Sequence, residues 1–285
     1  MDEAARPRPA ETGGARERIE ARGVEFHVVH VGSTERPTAV FLHGLLVDNL
    51  ASWYYALAGR VSPIVDVVLY DLRGHGKSDR PATGYTVDDM VADLDALLDA
   101  LGIDEPVELV GNSFGGLLAV AYALAHPDRV RGLALLDPSL PDENWGEMIT
   151  TSFALEGDER MEAIERYVPL RWPDQESRRR ERRLRESARS FVRETTLVED
   201  LARARPMEDE QLRSIEQPVL VLYGARSEID AHAGRLASLL PNVETRYFPE
   251  STHLVLWEEA SAVREIVAGW LSRSDPDRAE LGTGA

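Results

Sequence analysis

Val107-Glu108-Leu109-Val110-Gly111-Asn112-Ser113-Phe114-Gly115-Gly116 is the stretch on which the reading of the whole chain turns. Its first four residues form a short apolar run, read as a buried strand. From Phe114 to His126 the chain is small and apolar nearly all round, which reads as a buried helix. Between the two lies Gly111-Asn112-Ser113-Phe114-Gly115, the pattern G-x-S-x-G in a strand–turn–helix setting. Small residues on both sides of Ser113 let the strand and the helix pack closely. The tight turn forces its apex into a strained backbone conformation and exposes the Ser113 hydroxyl at the end of the sheet. The first amides of the helix then point at any anion formed there.

On either side of this turn, apolar runs alternate with helical stripes. Val24 to Val31, Thr38 to Leu42, Ile64 to Tyr70, Gly132 to Leu136, Pro218 to Tyr223 and Val243 to Phe248 read as strands. Between Thr86 and Leu101 the apolar residues Val87, Met90, Val91, Leu94, Leu97, Leu98 and Leu101 recur in steps of three and four. Thr86 stands as N-cap and Gly102 follows the end. Ala231 to Leu240 and Trp257 to Leu271 read as helices. The alternation predicts an α/β fold, a mostly parallel sheet covered by helices on both faces.

One region breaks the alternation. From 138 to 213 there is no convincing strand, only helical patterns at Trp145–Ala154, Arg160–Tyr167 and Glu176–Arg193, interrupted by Pro141, Pro169 and Pro173. It reads as a helical cap inserted over the carboxyl edge of the sheet, where ligands of α/β proteins bind. Residues 1–137 and 214–285 then form the core, with poorly ordered ends expected at 1–14 and 272–285.

Composition narrows the function classes. Of 285 residues none is Cys, which excludes disulfides, thiolate nucleophiles and Cys-ligated zinc. Lys77 is the only lysine, and the formal net charge is −18. Such a surface repels phosphate backbones, so nucleic-acid binding is not expected. No apolar run approaches the about 18–20 residues of a membrane span, and residues 1–20 hold no apolar stretch of a secretory signal. A soluble, cytoplasmic protein is expected.

Four features together make the chain resemble the α/β-hydrolase fold superfamily over roughly residues 20–271. They are His43-Gly44 after one strand, Asp71-Leu72-Arg73-Gly74-His75-Gly76-Lys77-Ser78 after the next, the Ser113 turn, and a late His253. The resemblance implies a nucleophile at Ser113 and a general base at His253, in the chain order nucleophile, acid, histidine. It implies an oxyanion hole from the backbone amides of Leu45 and Phe114. Neither a metal nor a cofactor is implied. His43, Leu46 and Trp145 are the candidate substrate-side residues, His43 more as a buttress of the oxyanion loop than as a reactant. His75 reads as structural; His27, His30, His126 and His232 carry no assigned role.

The acid of the triad is open. In many relatives Tyr-Gly-x-x-Asp follows the strand matching Pro218–Tyr223; here Tyr223-Gly224-Ala225-Arg226-Ser227-Glu228-Ile229-Asp230 places Ser227 at the usual Asp position. Glu228, one residue late on a longer side chain, is the first choice. Asp137, 24 residues after Ser113, is the runner-up, similar to the placement in certain haloalkane dehalogenases, and Asp230 is third.

A serine nucleophile disfavours epoxide and haloalkane chemistry, because a serine ether could not be hydrolysed as an aspartyl ester is. Acyl chemistry remains. The greasy loop Leu45, Leu46, Val47 and Leu50 points to an ester or thioester of a hydrophobic acyl or polyketide-like substrate. Two alternatives stand beside it. Gly111-Asn112-Ser113-Phe114-Gly115-Gly116 is similar to the turn of C–C hydrolases acting on vinylogous diketones, and a non-catalytic ligand-binding protein could keep the fold. From Arg171 to Arg193 there are nine Arg against four acids. This is either a solvated helix with ion pairs or a docking face for an acyl carrier protein or a CoA phosphate.

Overall fold

Period-two alternation along each strand distributes the apolar side chains between two cores. Val40, Leu42, Leu109, Val219 and Val221 join one cluster, and Ala39, Phe41, Val110, Leu220 and Leu222 join the other. A sheet buried on both faces results. The computed structural model describes residues 15–154, 175–227, 229 and 231–273. Its sheet has eight strands: β1 Ala15–Ala21, β2 Val24–Val31, β3 Thr38–Leu42, β4 Asp66–Tyr70, β5 Val107–Asn112, β6 Val130–Leu136, β7 Val219–Gly224 and β8 Val243–Phe248. They lie in the order β1-β2-β4-β3-β5-β6-β7-β8. Only β1·β2 and β2·β4 are antiparallel; β4·β3, β3·β5, β5·β6, β6·β7 and β7·β8 are parallel. This is the mostly parallel α/β sheet expected from the alternation.

Strand β1 lies outside the strands read from the sequence. Its only large apolar residue is Ile19, and it is held by pairing rather than burial: seven residues register against β2 across the Arg22-Gly23 turn. Both turn residues have positive φ, 52° and 71°, the backbone of a tight hairpin.

The helices beginning near Thr86, Phe114, Trp145, Glu176, Ala231 and Trp257 follow the predicted patterns, while those at 50–61, Leu197–Ala202 and Asp209–Arg213 lie outside the helices read from the sequence. Leu50–Trp53 (α1) continues through a π-helical turn, Tyr54–Ala58, into Gly59–Val61 (α2). Val87–Ala100 (α3) starts at Thr86, whose hydroxyl accepts from Asp89 N–H, and stops before Gly102 at φ +63°. Phe114–Ala125 (α4) is buried along most of its length. After β6 come Trp145–Ala154 (α5), Gln175–Glu194 (α6), Leu197–Ala202 (α7) and Asp209–Arg213 (α8), with no strand among the described residues before β7. The predicted helix Arg160–Tyr167 lies outside the described residues. Ala231–Leu239 (α9), Val255–Glu258 (α10) and Ala260–Arg273 (α11) complete the chain; the last two divide the predicted Trp257–Leu271 helix at Glu259. Residues 1–14 and 274–285 also lie outside the described residues. Among the described residues, no helix is long and apolar enough to cross a membrane.

Candidate active site

Ser113 caps α4 with φ 53° and ψ −116°, a conformation L-residues rarely adopt. Close packing holds it there. A Cβ on Gly115 would lie 2.1 Å from Leu42 O, and one on Gly111 would lie 2.4 Å from Gly115 O. The end of β3 therefore meets the start of α4 only because residue 115 is glycine, and the end of β5 folds back on α4 only because residue 111 is. Ser113 N–H donates to Leu136 O at 2.8 Å, tying the turn to the last residue of β6. The very next residue is Asp137, also at positive φ, 43°. Among the described residues, the positive-φ non-glycine residues are Arg22, Leu46, Ser113 and Asp137, so all but the hairpin residue cluster at this edge of the sheet.

His253 arrives from the loop after β8. Thr252 N–H donates to Glu258 at 2.8 Å, and Arg226 N–H donates to Ser251 O at 2.9 Å, fixing the loop against α10 and the end of β7. A Cβ on Gly224 would stand 2.1 Å from Thr252 O, so this glycine sets how closely the loop can approach. His253 Nε2 lies 2.8 Å from Ser113 Oγ, and its Nδ1 contacts Asp137 Oδ2. A carboxylate only accepts; Nδ1 therefore carries the proton, leaving Nε2 to accept from the Ser113 hydroxyl. Asp137 is fully buried, and its other partners are the Ser227 hydroxyl and, at 3.3 Å, Gly224 N–H.

The carboxylate on His253 is thus Asp137, the runner-up of the sequence reading. Glu228 and Asp230 lie outside the described residues. Ser227, at the position where relatives resembling this chain carry Asp, donates to Asp137 instead. Burial, together with the nearby Asp137 charge, pushes the Tyr223 phenol up, so it stays protonated beneath the site.

The loop from His43 to Ser52 is held by its own side chains and by His75. Gly44 N–H donates to Asp48 Oδ2 at 2.7 Å, Val47 N–H to Leu45 O at 3.0 Å, and Leu46 N–H to His75 Nε2 at 2.9 Å. Asp48 also accepts from Asn49 N–H and the Ser52 hydroxyl. Leu45 N–H lies in this loop and Phe114 N–H at the start of α4. These two amides are the donors that the sequence assigns to an oxyanion.

Of the candidate substrate-side residues, His43 keeps only its buttress reading and Trp145 needs correction. His43 is fully buried. Its Nε2 accepts Leu72 N–H at 3.0 Å, and its Nδ1 donates to Gly44 O at 2.7 Å, so both nitrogens are spent on backbone and only the buttress role fits. Trp145 is 3% exposed, with its indole N–H donated to Leu201 O at 2.8 Å, so it packs α5 on α7 instead of facing a ligand. Leu46 is part-buried against the core, as is Leu45, while Leu50 belongs to the core on the opposite face of the sheet. Sequence reasoning passed over Asp48, Gly224 and the supporting role of Ser227. The serine at an expected acid position was the available signal; nothing local marks the other two. Among the described residues, no three His, Asp or Glu side chains converge as a metal site would. Of the Arg-rich segment, Arg182 and Arg183 are exposed, and Arg182 approaches Glu186 at 4.0 Å.

Residues 37–260 match the family model described as alpha/beta hydrolase fold, and the chain belongs to that family. It is 39% identical to epoxide hydrolase 2 of Siraitia grosvenorii over 120 residues, covering 41% of this chain and only 37% of that protein's length. Among solved structures it is similar to the enol-lactonase of Burkholderia xenovorans LB400, with TM-score 0.68 and 25% identity over 88% of this chain and 98% of that one. It is likewise similar to Est816, an N-acyl homoserine lactone degrading enzyme, with TM-score 0.68 and 28% identity over 89% of this chain and 100% of that one.

Proposed function

We propose that the protein is a serine hydrolase that cleaves a carboxylic ester or thioester of a hydrophobic acyl substrate through an acyl-enzyme on Ser113. The observation that carries this reading is the continuous chain Ser113 Oγ–His253 Nε2 and His253 Nδ1–Asp137. His253 takes the Ser113 proton as the oxygen attacks the acyl carbon. Leu45 and Phe114 amides receive the charge that develops on the carbonyl oxygen, each donor contributing about 3 kcal/mol. The protonated imidazole, held against the buried Asp137 carboxylate, then gives its proton to the leaving alcohol or thiol. Water repeats the cycle on the acyl-enzyme.

Epoxide opening does not fit this chemistry despite the partial likeness to an epoxide hydrolase. Attack by Ser113 on an epoxide would leave an alkyl ether that the same site has no means to hydrolyse. The two lactone-cleaving relatives support the ester reading, since a lactone is a cyclic ester, and make hydrophobic lactones the first substrates to try. A C–C hydrolase of vinylogous diketones is the second reading, favoured by the residues flanking Ser113. The Arg-rich α6 is proposed to meet an acidic acyl carrier or a CoA phosphate. Charge reversal at Arg179, Arg180 and Arg183 that left carrier-substrate kinetics unchanged would remove that idea.

The primary test uses a fluorophosphonate probe. Wild-type protein should be labelled and Ser113→Ala should not. p-Nitrophenyl esters, acyl-CoA thioesters, lactones and a coloured ring-fission dienoate then separate the bond classes. Turnover of the dienoate alone would overturn the ester reading in favour of C–C cleavage, and absence of labelling in folded wild type would overturn hydrolysis altogether.

A further inference from the structure

The Arg73–Arg80 turn touches both the oxyanion loop and the cap through one imidazole. His75 is buried and accepts Leu46 N–H at Nε2, 2.9 Å away, while its Nδ1 donates to Arg73 O at 2.8 Å. Those two bonds select one neutral tautomer. Leu46, the residue so held, sits at φ +65°, a left-handed conformation that a leucine does not adopt unaided. Its peptide neighbour is Leu45, whose amide is an assigned oxyanion donor. The direction of the Leu45 amide therefore depends on the acceptor that holds Leu46 in place.

The opposite side of the His75 ring carries the cap. Phe191 of α6 meets it edge-on, with centroids 4.9 Å apart and planes at 90°, and meets Tyr85 at 5.2 Å. Gly74 makes room: a Cβ there would lie 2.4 Å from Phe191 Cζ. Arg80 stacks its guanidinium 4.7 Å from the Phe191 centroid. It also donates to Gly74 O at 3.0 Å and to Ser187 Oγ of α6 at 3.0 Å. The carboxyl end of α6 is thus fastened to the turn that holds Leu46. Packed aromatic contacts transmit displacement because interiors have few voids to absorb it.

We propose that His75 is a positioning residue through which the cap helix α6 sets the aim of the Leu45 amide. Seating of the cap by Phe191 and alignment of the oxyanion donor are one event. This rests on the acyl-enzyme reading above, in which the Leu45 amide acts on the developing anion.

Three variants test it on a reactive p-nitrophenyl ester. His75→Phe keeps an aromatic ring against Phe191 but offers Leu46 no acceptor, and His75→Gln places an amide oxygen near the Nε2 position. His75→Phe should lower kcat ten- to a hundredfold, part of the 10²–10³ that loss of a whole donor costs, with KM within about threefold. His75→Gln should restore most of the kcat. Phe191→Leu should lower kcat in the same sense, and the His75→Phe/Phe191→Leu pair should lose no more than His75→Phe alone. Equal kcat in His75→Phe and His75→Gln, or losses that simply multiply in the pair, would overturn the proposal. If His75→Phe does not fold, His75→Gln against Phe191→Leu decides: a Gln variant as slow as the Leu variant overturns it. Ser113-dependent labelling of the wild type is read in parallel. Its absence would sink the acyl-enzyme reading, whereas labelling with kcat indifferent to His75 would sink only the positioning role.

Discussion

The Ser227 hydroxyl donates a hydrogen bond to Oδ2 of Asp137, the same oxygen that contacts His253 Nδ1. A serine on the loop after β7 thus supports a carboxylate on the loop after β6. The exchange is a matter of reach, since an Asp oxygen at 227 would extend one bond beyond the present Oγ, toward the space Asp137 Oδ2 occupies. We expect Asp137→Ser to lose most activity, and the pair Asp137→Ser/Ser227→Asp to recover at least about tenfold of it. Ser227→Ala alone should cost about three- to tenfold in kcat, the net value of one ordinary hydrogen bond, about 0.7–1.4 kcal/mol. Ester kinetics on the four proteins check this, and a pair no faster than Asp137→Ser would show that position 227 cannot serve His253.

Asp137→Asn should reduce kcat by orders of magnitude while leaving the circular dichroism spectrum unchanged, because an amide can hold the wrong imidazole tautomer. Glu228→Gln should stay within about threefold of wild type. The reverse pattern, a large loss in Glu228→Gln and a small one in Asp137→Asn, would falsify the assignment of the acid.

Two glycines should respond oppositely to alanine. At Gly115 the new Cβ would meet the Leu42 carbonyl oxygen at 2.1 Å, backbone against backbone, with no flexible atom to yield. Gly115→Ala should cost about 3 kcal/mol or prevent folding. At the exposed Gly269 in α11 a Cβ meets nothing within 4 Å, and Gly269→Ala should add about 0.5–1 kcal/mol through helix propensity. Urea unfolding midpoints measure both, and a Gly115→Ala protein as stable as wild type would refute the close packing of the elbow.

Stability should fall on the acid side of neutrality. Burial first, then the neighbouring His43 charge, hold the His75 imidazole well below the ordinary histidine range, against the opposing effect of its bond to Arg73 O. Burial lowers His232 as well; Arg235 acts in the same direction and Asp142 against it. The unfolded chain binds these protons near about pH 6.5, while the folded chain resists them. Their contribution is therefore complete above about pH 6.5 and is lost as pH drops toward the folded values, at up to about 1.4 kcal/mol per pH unit for each proton. His75→Gln should flatten that limb by one proton, read from urea midpoints between about pH 4.5 and 7. An unchanged slope in the variant would rule His75 out as a contributor.

Much of the molecule was legible along the chain. Strands β2, β3 and β8 match the predicted limits to the residue; β2 and β3 bury apolar runs, whereas β8 alternates β-branched and aromatic with charged residues and buries none of them. The elbow was legible because the steric demand of strand against helix is met only by small residues at fixed spacing. Strand β1 was not, since it is held by pairing with β2 and its side chains carry almost no apolar signal. Trp145 was misplaced, and the backbone partners of His43 were not legible, for a related reason. The sequence shows that a side chain has a polar edge but not which backbone carbonyl or amide will use it.

The amino-acid sequence by itself determined the parallel α/β architecture and the position of Ser113, because these follow from local periodicity and the sterics of one tight turn; the pairing of His253 with Ser113 was legible only as what the resemblance implies. Tertiary structure alone decided which acid meets the imidazole. Asp137 and Ser227 are 90 residues apart and come together only where β6 and β7 end side by side. It also decided that His75 lies between Phe191 of α6 and Leu46, since the three have no common neighbour in the chain and share only a packed volume.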